Sequence, residues 1–218
     1  MRMPSDSLLE RIFCVRLAAL CLAVLLLPIS ESAGQAQWQK TVKVIVPVEE
    51  GTMTRALTDS VVKMVEAQNS EVRRTPQSDT TTTLSAIREA LSDEGLALTS
   101  PTHVFATYRF TQERGRLQRD ILDLHFIYRP SAEQGEDIPI LYLDLTEDSL
   151  YRKLLVEQGT PVRANEATFR SFEEQVAFHN LLDTARVVRV GNRIIRDVEQ
   201  AAAEKKRIMS TIRKLVYN

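Results

Sequence analysis

The sequence predicts an α+β fold: an antiparallel sheet of about four strands, helices packed on one of its faces, and a long helical segment at the C-terminus. Three observations predict it. Four stretches alternate apolar and polar side chains at period two, the mark of half-buried strands. Other stretches repeat apolar residues every three or four positions, as one buried helix face requires. The order is strand, helix, helix, three strands, helices, and runs of strands followed by runs of helices favour antiparallel pairing over alternating βα units.

Ahead of the fold lies a leader. The apolar run from Leu17 to Leu27 is eleven residues long and meets Pro28, against roughly twenty residues needed to cross a bilayer core. Arg2, Arg11 and Arg16 precede it, and Gly34-Gln35-Ala36 offers a small-x-small exit. This pattern reads as a secretory signal peptide cut near Ala36. The rival reading is an uncut segment anchoring the chain in an inner membrane. Cys14 and Cys21 both lie within the leader, so the mature chain has no thiol chemistry and no disulfide. No Asn-x-Ser/Thr acceptor occurs, which favours a bacterial envelope over a eukaryotic lumen. The organisation expected is residues 1–36 as leader, 37–166 as an α+β domain, and 167–218 as a helical segment with a basic tail.

The elements follow in order. In TVKVIVPV, Val42, Val44, Val46 and Val48 share one strand face, and Pro47 marks an edge or the last paired position. Gly51 and Thr52 make a turn and an N-cap for a helix from about Met53 to Gln68, carried by Leu57, Val61, Met64 and Val65. EVRRT reads as a short strand and PQSDTTTT as a loop. Leu84, Ile87 and Leu91 mark a second helix stopped near Gly95. Val104, Ala106, Tyr108 and Phe110 then align at period two, as do Leu122, Leu124, Phe126 and Tyr128, with a turn around Gly115: a long hairpin. Pro130 ends it, SAEQGED forms a loop, and Ile138 to Leu145 makes a further strand. Thr146 caps the next helix, with Glu147 and Asp148 near its positive end; Gly159 and Pro161 stop it.

From Phe169 onward the pattern reads as helical. Leu181, Ala185, Val188, Asn192, Ile195, Ala202, Met209, Ile212 and Val216 keep nearly a seven-residue register. VVRVGNRII, Val187 to Ile195, also fits two short strands around a Gly-Asn turn. That alternative splits its valines between two faces, so the helix is the reading adopted, at the cost of a glycine about 1 kcal/mol worse than alanine.

Composition bounds the function. The chain is 44% hydrophobic and 26% charged with a net charge of −1, ordinary for a globular protein. Arg186 to Asn218 holds nine basic and three acidic residues, about +6, leaving about −7 on residues 37–185. No nucleophile elbow, His-Glu-x-x-His, phosphate-binding glycine loop or dinucleotide fingerprint is present, and no cofactor or metal ligand set is read. The one candidate for chemistry is Asp123, His125 and Asp144: alternation puts the first two on one strand face, Asp144 belongs to a neighbouring strand, and a carboxylate beside an imidazole can orient a base. Ile121 and Ile127 are expected on that same face. His179 reads as a packing residue, and His103 carries no signal.

The interaction candidate is EKKRIMSTIRKLVYN. Ile208, Ile212 and Leu215 make an apolar stripe flanked by Lys205, Lys206, Arg207, Arg213 and Lys214, suited to a partner's groove or, weakly, to anionic lipid. Nucleic acid fits poorly, because the tail lacks interleaved aromatics. The expectation is an exported, periplasmic, non-enzymatic protein that binds envelope proteins in assembly or secretion. The alternatives are a hydrolase or metal-dependent enzyme built on the Asp/His trio, and a small-ligand binder using the sheet face.

Overall fold

In the computed structural model, β1 (Gln39–Pro47), β2 (His103–Glu113), β3 (Arg116–Tyr128), β4 (Ile138–Asp144), β7 (Arg186–Val190) and β8 (Arg193–Ile194) form a six-stranded sheet of order β4-β3-β2-β1-β7-β8, antiparallel throughout, with β1 in its interior. The structure describes residues 38–68, 72–78, 81–113, 116–130, 136–162, 165–178, 180–181 and 184–217. The leader, the turn at Gly115, the SAEQG loop and His179 lie outside the described residues. Among the described residues no helix is long and apolar enough to cross a membrane.

The valines of β1 sit where their alternation demands: Val42, Val44 and Val46 are buried on one face, paired with Tyr108, Ala106 and Val104 of β2 (His103–Glu113). Pro47 occupies the last paired position of the β1–β2 ladder, opposite His103, where its missing N–H costs least. Thr52 caps α1 (Met53–Gln68) by accepting from the Arg55 N–H at 3.4 Å. Thr83 caps α2 (Leu84–Asp93) by accepting from the Ala86 N–H at 3.3 Å. Gly95, at φ 71°, closes α2: its N–H reaches the Ser92 carbonyl and the Leu96 N–H reaches that of Leu91, the paired bonds of a Schellman end. The EVRRT segment is reduced to isolated bridges, Val72 with Thr82 and Arg73 with Tyr142 of β4.

β3 (Arg116–Tyr128) completes the hairpin with β2, and β4 (Ile138–Asp144) forms one edge. A register shift between β2 and β3 changes which face side chains occupy. Thr107 pairs with Asp123 but Tyr108 pairs with Ile121, so Leu122 is the extra residue of a bulge. That bulge turns Ile121 into the core beside Tyr108, not onto the face of Asp123 and His125 as simple alternation expects. Past β4, the helix after Thr146 is one α turn, α3 (Asp148–Tyr151), running into a π turn, Arg152–Val156, with Leu154 and Leu155 both buried. The chain then makes a small second sheet of β5 (Gly159–Val162) and β6 (Asn165–Ser171), followed by the short α4 (Phe172–Gln175).

The count of about four strands and the helical reading from Phe169 are therefore corrected. Phe169 lies in β6, and VVRVGNRII is a hairpin of β7 (Arg186–Val190) and β8 (Arg193–Ile194). Pairing decides the matter. Without β7, the free side of β1 would leave buried backbone groups unsatisfied. The objection that the valines divide between faces is met by a bulge: Val44 pairs with Val187 and Val42 with Val190, leaving Val188 as the extra residue and both paired valines in the core. Gly191 makes the turn at φ 55° and donates its N–H to the Thr41 carbonyl at 2.8 Å. After the short α4, helix resumes only at α5 (Val198–Tyr217), where the Asp197 carboxylate accepts from the Gln200 N–H at 2.7 Å.

Residues Trp38 to Asn218 form one compact unit. Its core lies on the first face of the sheet. Leu57 and Val61 of α1, Ile87 and Leu91 of α2, Leu154, Phe172 and Ile208 belong to one cluster with Val42, Tyr108, Leu124 and Leu143. Tyr108, fully buried, donates its hydroxyl to the Val176 carbonyl at 2.6 Å, and Phe178 packs edge-on against Tyr108 and Phe110 with ring centroids 5.5 Å away.

Candidate functional site on the second sheet face

The other face of the sheet carries residues that the core does not use. Three cross-strand rows cover it. One runs Arg189, Lys43, Thr107, Asp123 and Asp144 across β7, β1, β2, β3 and β4. The next runs Arg186, Ile45, Phe105, His125 and Tyr142, and the third Pro47, His103, Ile127 and Pro139. Ile45 and Ile127 are buried yet stand outside the main core cluster. Neighbouring strands lie about 4.8 Å apart, so each row is a continuous surface.

The predicted trio meets here. Asp123 and Asp144 are directly opposite each other, and His125 is two residues along from Asp123 and opposite Tyr142. Each carboxylate is already held by a threonine. The Thr107 hydroxyl donates to Asp123 Oδ1 at 2.9 Å, while Asp144 Oδ1 accepts from the Thr146 N–H at 3.0 Å and the Thr146 hydroxyl at 2.6 Å. Thr146 thus closes a turn on Asp144. The two acids are pushed apart: burial raises Asp123 above the usual carboxylate range, and the two Thr146 hydrogen bonds hold Asp144 below it. His125 is driven down to about 4, first by burial and then by the Lys43 charge, so its ring is neutral near pH 7. Its Nε2 is buried with no hydrogen-bond partner. The ring sits 6.0 Å from Phe105 and 6.1 Å, edge to face, from Tyr142. Among the described residues no group of three His, Cys, Asp or Glu is placed to hold a metal ion.

Sequence reasoning missed the cationic side of this face. Lys43 lies over the Phe105 ring, its Nζ 5.0 Å from the centroid, a cation–π contact. Burial and then Arg189 act against its charge, partly offset by Asp123, and hold it below the ordinary lysine value. Lys43, Arg186 and Arg189 form no ion pair among the described residues. The out-facing positions of TVKVIVPV and HVFATYRF carried the signal for Lys43, Phe105 and Thr107. Arg186 and Arg189 carried none, because their stretch read as helix.

The predicted docking helix turns its apolar stripe inward at Ile208. Ile208 is only 1% exposed and belongs to the core, and Ile212 packs against it. Leu215 is half-buried, and Lys205 donates from Nζ to the Ala185 carbonyl at 2.9 Å. Lys206, Arg207, Arg213 and Lys214 are exposed. The apolar stripe of α5 therefore serves the chain's own fold at Ile208, and what it offers outward is charge. No protein-family model and no curated protein sequence matches the chain.

Proposed function

We propose that the chain is an exported, non-enzymatic protein that binds an acidic segment of another envelope protein on the second face of its sheet. The supporting observation is the set of cations Lys43, Arg186 and Arg189 on this face, which have no ion-pair partner among the described residues, with Lys43 over the half-buried Phe105. Carboxylates of a partner would relieve the repulsion between Lys43 and Arg189, and an apolar side chain would cover Phe105. Export after cleavage near Ala36 supplies the compartment in this reading; an uncut leader would place the same face at the inner membrane. Binding is favoured over catalysis because both carboxylates of the trio are engaged by threonines and the imidazole bonds to neither.

The test is affinity capture from the native envelope with the wild-type chain, a Phe105→Ala variant, an Arg186→Glu/Arg189→Glu variant, and a Lys214→Glu control on α5. A species held by wild type and control, lost from both face variants, and contacting the chain through an acidic segment supports the proposal. Identical capture by all four proteins overturns it. A second reading, hydrolysis, rests on the opposite pKa shifts of the paired Asp123 and Asp144, one raised by burial and the other lowered by Thr146, a contrast of the kind that separates an acid from a base. A hydrolytic activity abolished by Asp123→Asn would establish it in place of the first.

A further inference from the structure

A second site lies on the opposite side of the sheet. A cleft of about 460 Å³ opens between the start of β1, the β7–β8 turn and α5, lined among the described residues by Lys40, Arg193 and Arg207 together with Gln39, Thr41 and Gly191. Its construction follows from three placements. Lys40 shares the first face of β1 with Val42 but stands beyond the last buried valine, opposite Phe110. The left-handed turn at Gly191 brings the hairpin onto Thr41, which puts Arg193 beside Lys40. Arg207 of α5 closes the third wall, with the buried Glu204, three residues earlier on the same side of the helix, behind it.

Charge in the cleft is unbalanced. Glu204 is 7% exposed and is the one buried carboxylate of the described core. Its Oε1 accepts from Arg193, and its Oε2, which has no hydrogen-bond partner, lies 3.5 Å from Arg207 Nε. The two guanidinium groups thereby share a single negative charge. Lys40 has no ion pair among the described residues. Three cations around one carboxylate leave an excess of about two positive charges. The consequence is visible at Lys40, whose protonated form is opposed by burial first and by Arg207 second, against the favourable pull of Glu204.

We infer that this cleft is a binding site for a phosphate group, carried either by a free phosphate compound or by the headgroup of an anionic lipid. The excess positive charge attracts an anion, and two guanidinium forks with an ammonium are the donor set that phosphate oxygens take up. The exposed cations of α5 beyond the cleft, Lys206, Arg213 and Lys214, would add long-range attraction toward an anionic surface without contacting the phosphate.

The site is tested by calorimetric titration of the purified chain with inorganic phosphate, and by flotation with phosphatidylglycerol and phosphatidylcholine vesicles. Saturable phosphate binding is expected, weakened about tenfold or more by Lys40→Gln and by Arg207→Gln, and changed less than about twofold by Lys206→Gln, which removes the same charge outside the cleft. If Arg207→Gln lowers the melting temperature, Lys40→Gln carries the result, since Lys40 is not part of the buried core. Phosphatidylglycerol binding that Lys40→Gln abolishes and added phosphate competes away identifies a lipid headgroup as the source; phosphate binding without vesicle binding identifies a free phosphate compound. No saturable, Lys40-dependent phosphate binding up to about 10 mM, together with no vesicle binding that Lys40→Gln or phosphate reduces, overturns the inference. Phe105→Ala lies on the other face and is expected to leave every one of these measurements unchanged, so the failure of either site does not imply failure of the other.

Discussion

Along β2, Tyr108 and Phe110 are 0% and 1% exposed, while Phe105 and Thr107, interleaved with the core residues Val104 and Ala106, point to the other face. The two sets meet different fates. On the first face the buried phenol of Tyr108 has its partner in the Val176 carbonyl, and burial keeps that hydroxyl protonated. On the second, Asp123 stands opposite Asp144, Lys43 stands beside Arg189, and His125 Nε2 is buried without a hydrogen bond. Like charges in directly paired cross-strand positions are destabilising. The first face is thus built for stability, with each local choice agreeing with the next. The second retains conflicts that a face concerned only with folding would lose, and such conflicts gather where a surface has another task.

The comparison predicts the largest losses on the first face. Phe126→Ala removes a ring that is 1% exposed from the middle of the core cluster and is expected to cost about 3–5 kcal/mol, read as a fall in the denaturation midpoint with little change in slope. A cost below about 1 kcal/mol would mean that the first face is not the continuous core described here.

The next effect in size separates the faces by pH. Because the folded pKa of His125 is depressed to about 4, below its ordinary value near 6.5, the unfolded chain binds its proton first as pH falls. Stability associated with the neutral ring is therefore complete above about pH 6.5 and is lost as pH drops through 4. The loss is on the order of 2 kcal/mol after allowance for the ring's partial access to water. Asp144, depressed by Thr146, adds a loss at still lower pH, whereas Asp123, raised by burial, works in the opposite direction. His125→Gln should flatten the stability curve between about pH 6.5 and 4. If the slope survives that substitution, titration on the second face is not its origin.

Much of this fold is legible because single strands announce themselves. Val42, Val44 and Val46, the period-two run of Val104 to Phe110, the Gly95 stop and the alignment of Asp123 with His125 all depend on residues close in sequence. The errors share a cause. Ile121 changes face because an extra residue, Leu122, enters the register against β2, and no residue type marks that position. β7 and β8 were hidden because their valines satisfy alternation only after a bulge set by β1, about 140 residues earlier in the chain. The phosphate cleft joins Lys40 to Arg193, Glu204 and Arg207 through the same pairing. Its charges could be counted in the sequence, but their convergence could not be read until β7 was placed beside β1.

The smallest predicted effect is the most informative about the difference between the faces, because its sign is reversed. Lys43→Met keeps an unbranched stem over Phe105 and replaces the cation–π contact with a sulfur–aromatic one. It removes a charge that burial and Arg189 both oppose in the folded state. Since the folded state disfavours the ammonium more than the unfolded chain does, neutralising it stabilises the free protein, by no more than about 1 kcal/mol because water still reaches the group. The gain should develop as pH falls from about 10.5 through the folded-state titration of Lys43, level off below it, and vanish well above pH 10.5, where both states are neutral. The same substitution should weaken capture of the acidic partner. A variant that is more stable yet binds less would locate the proposed function in the very charge that folding resists; one that is destabilised by about 1 kcal/mol or more would show that Lys43 supports the fold and that the second face is less in conflict than its charges indicate.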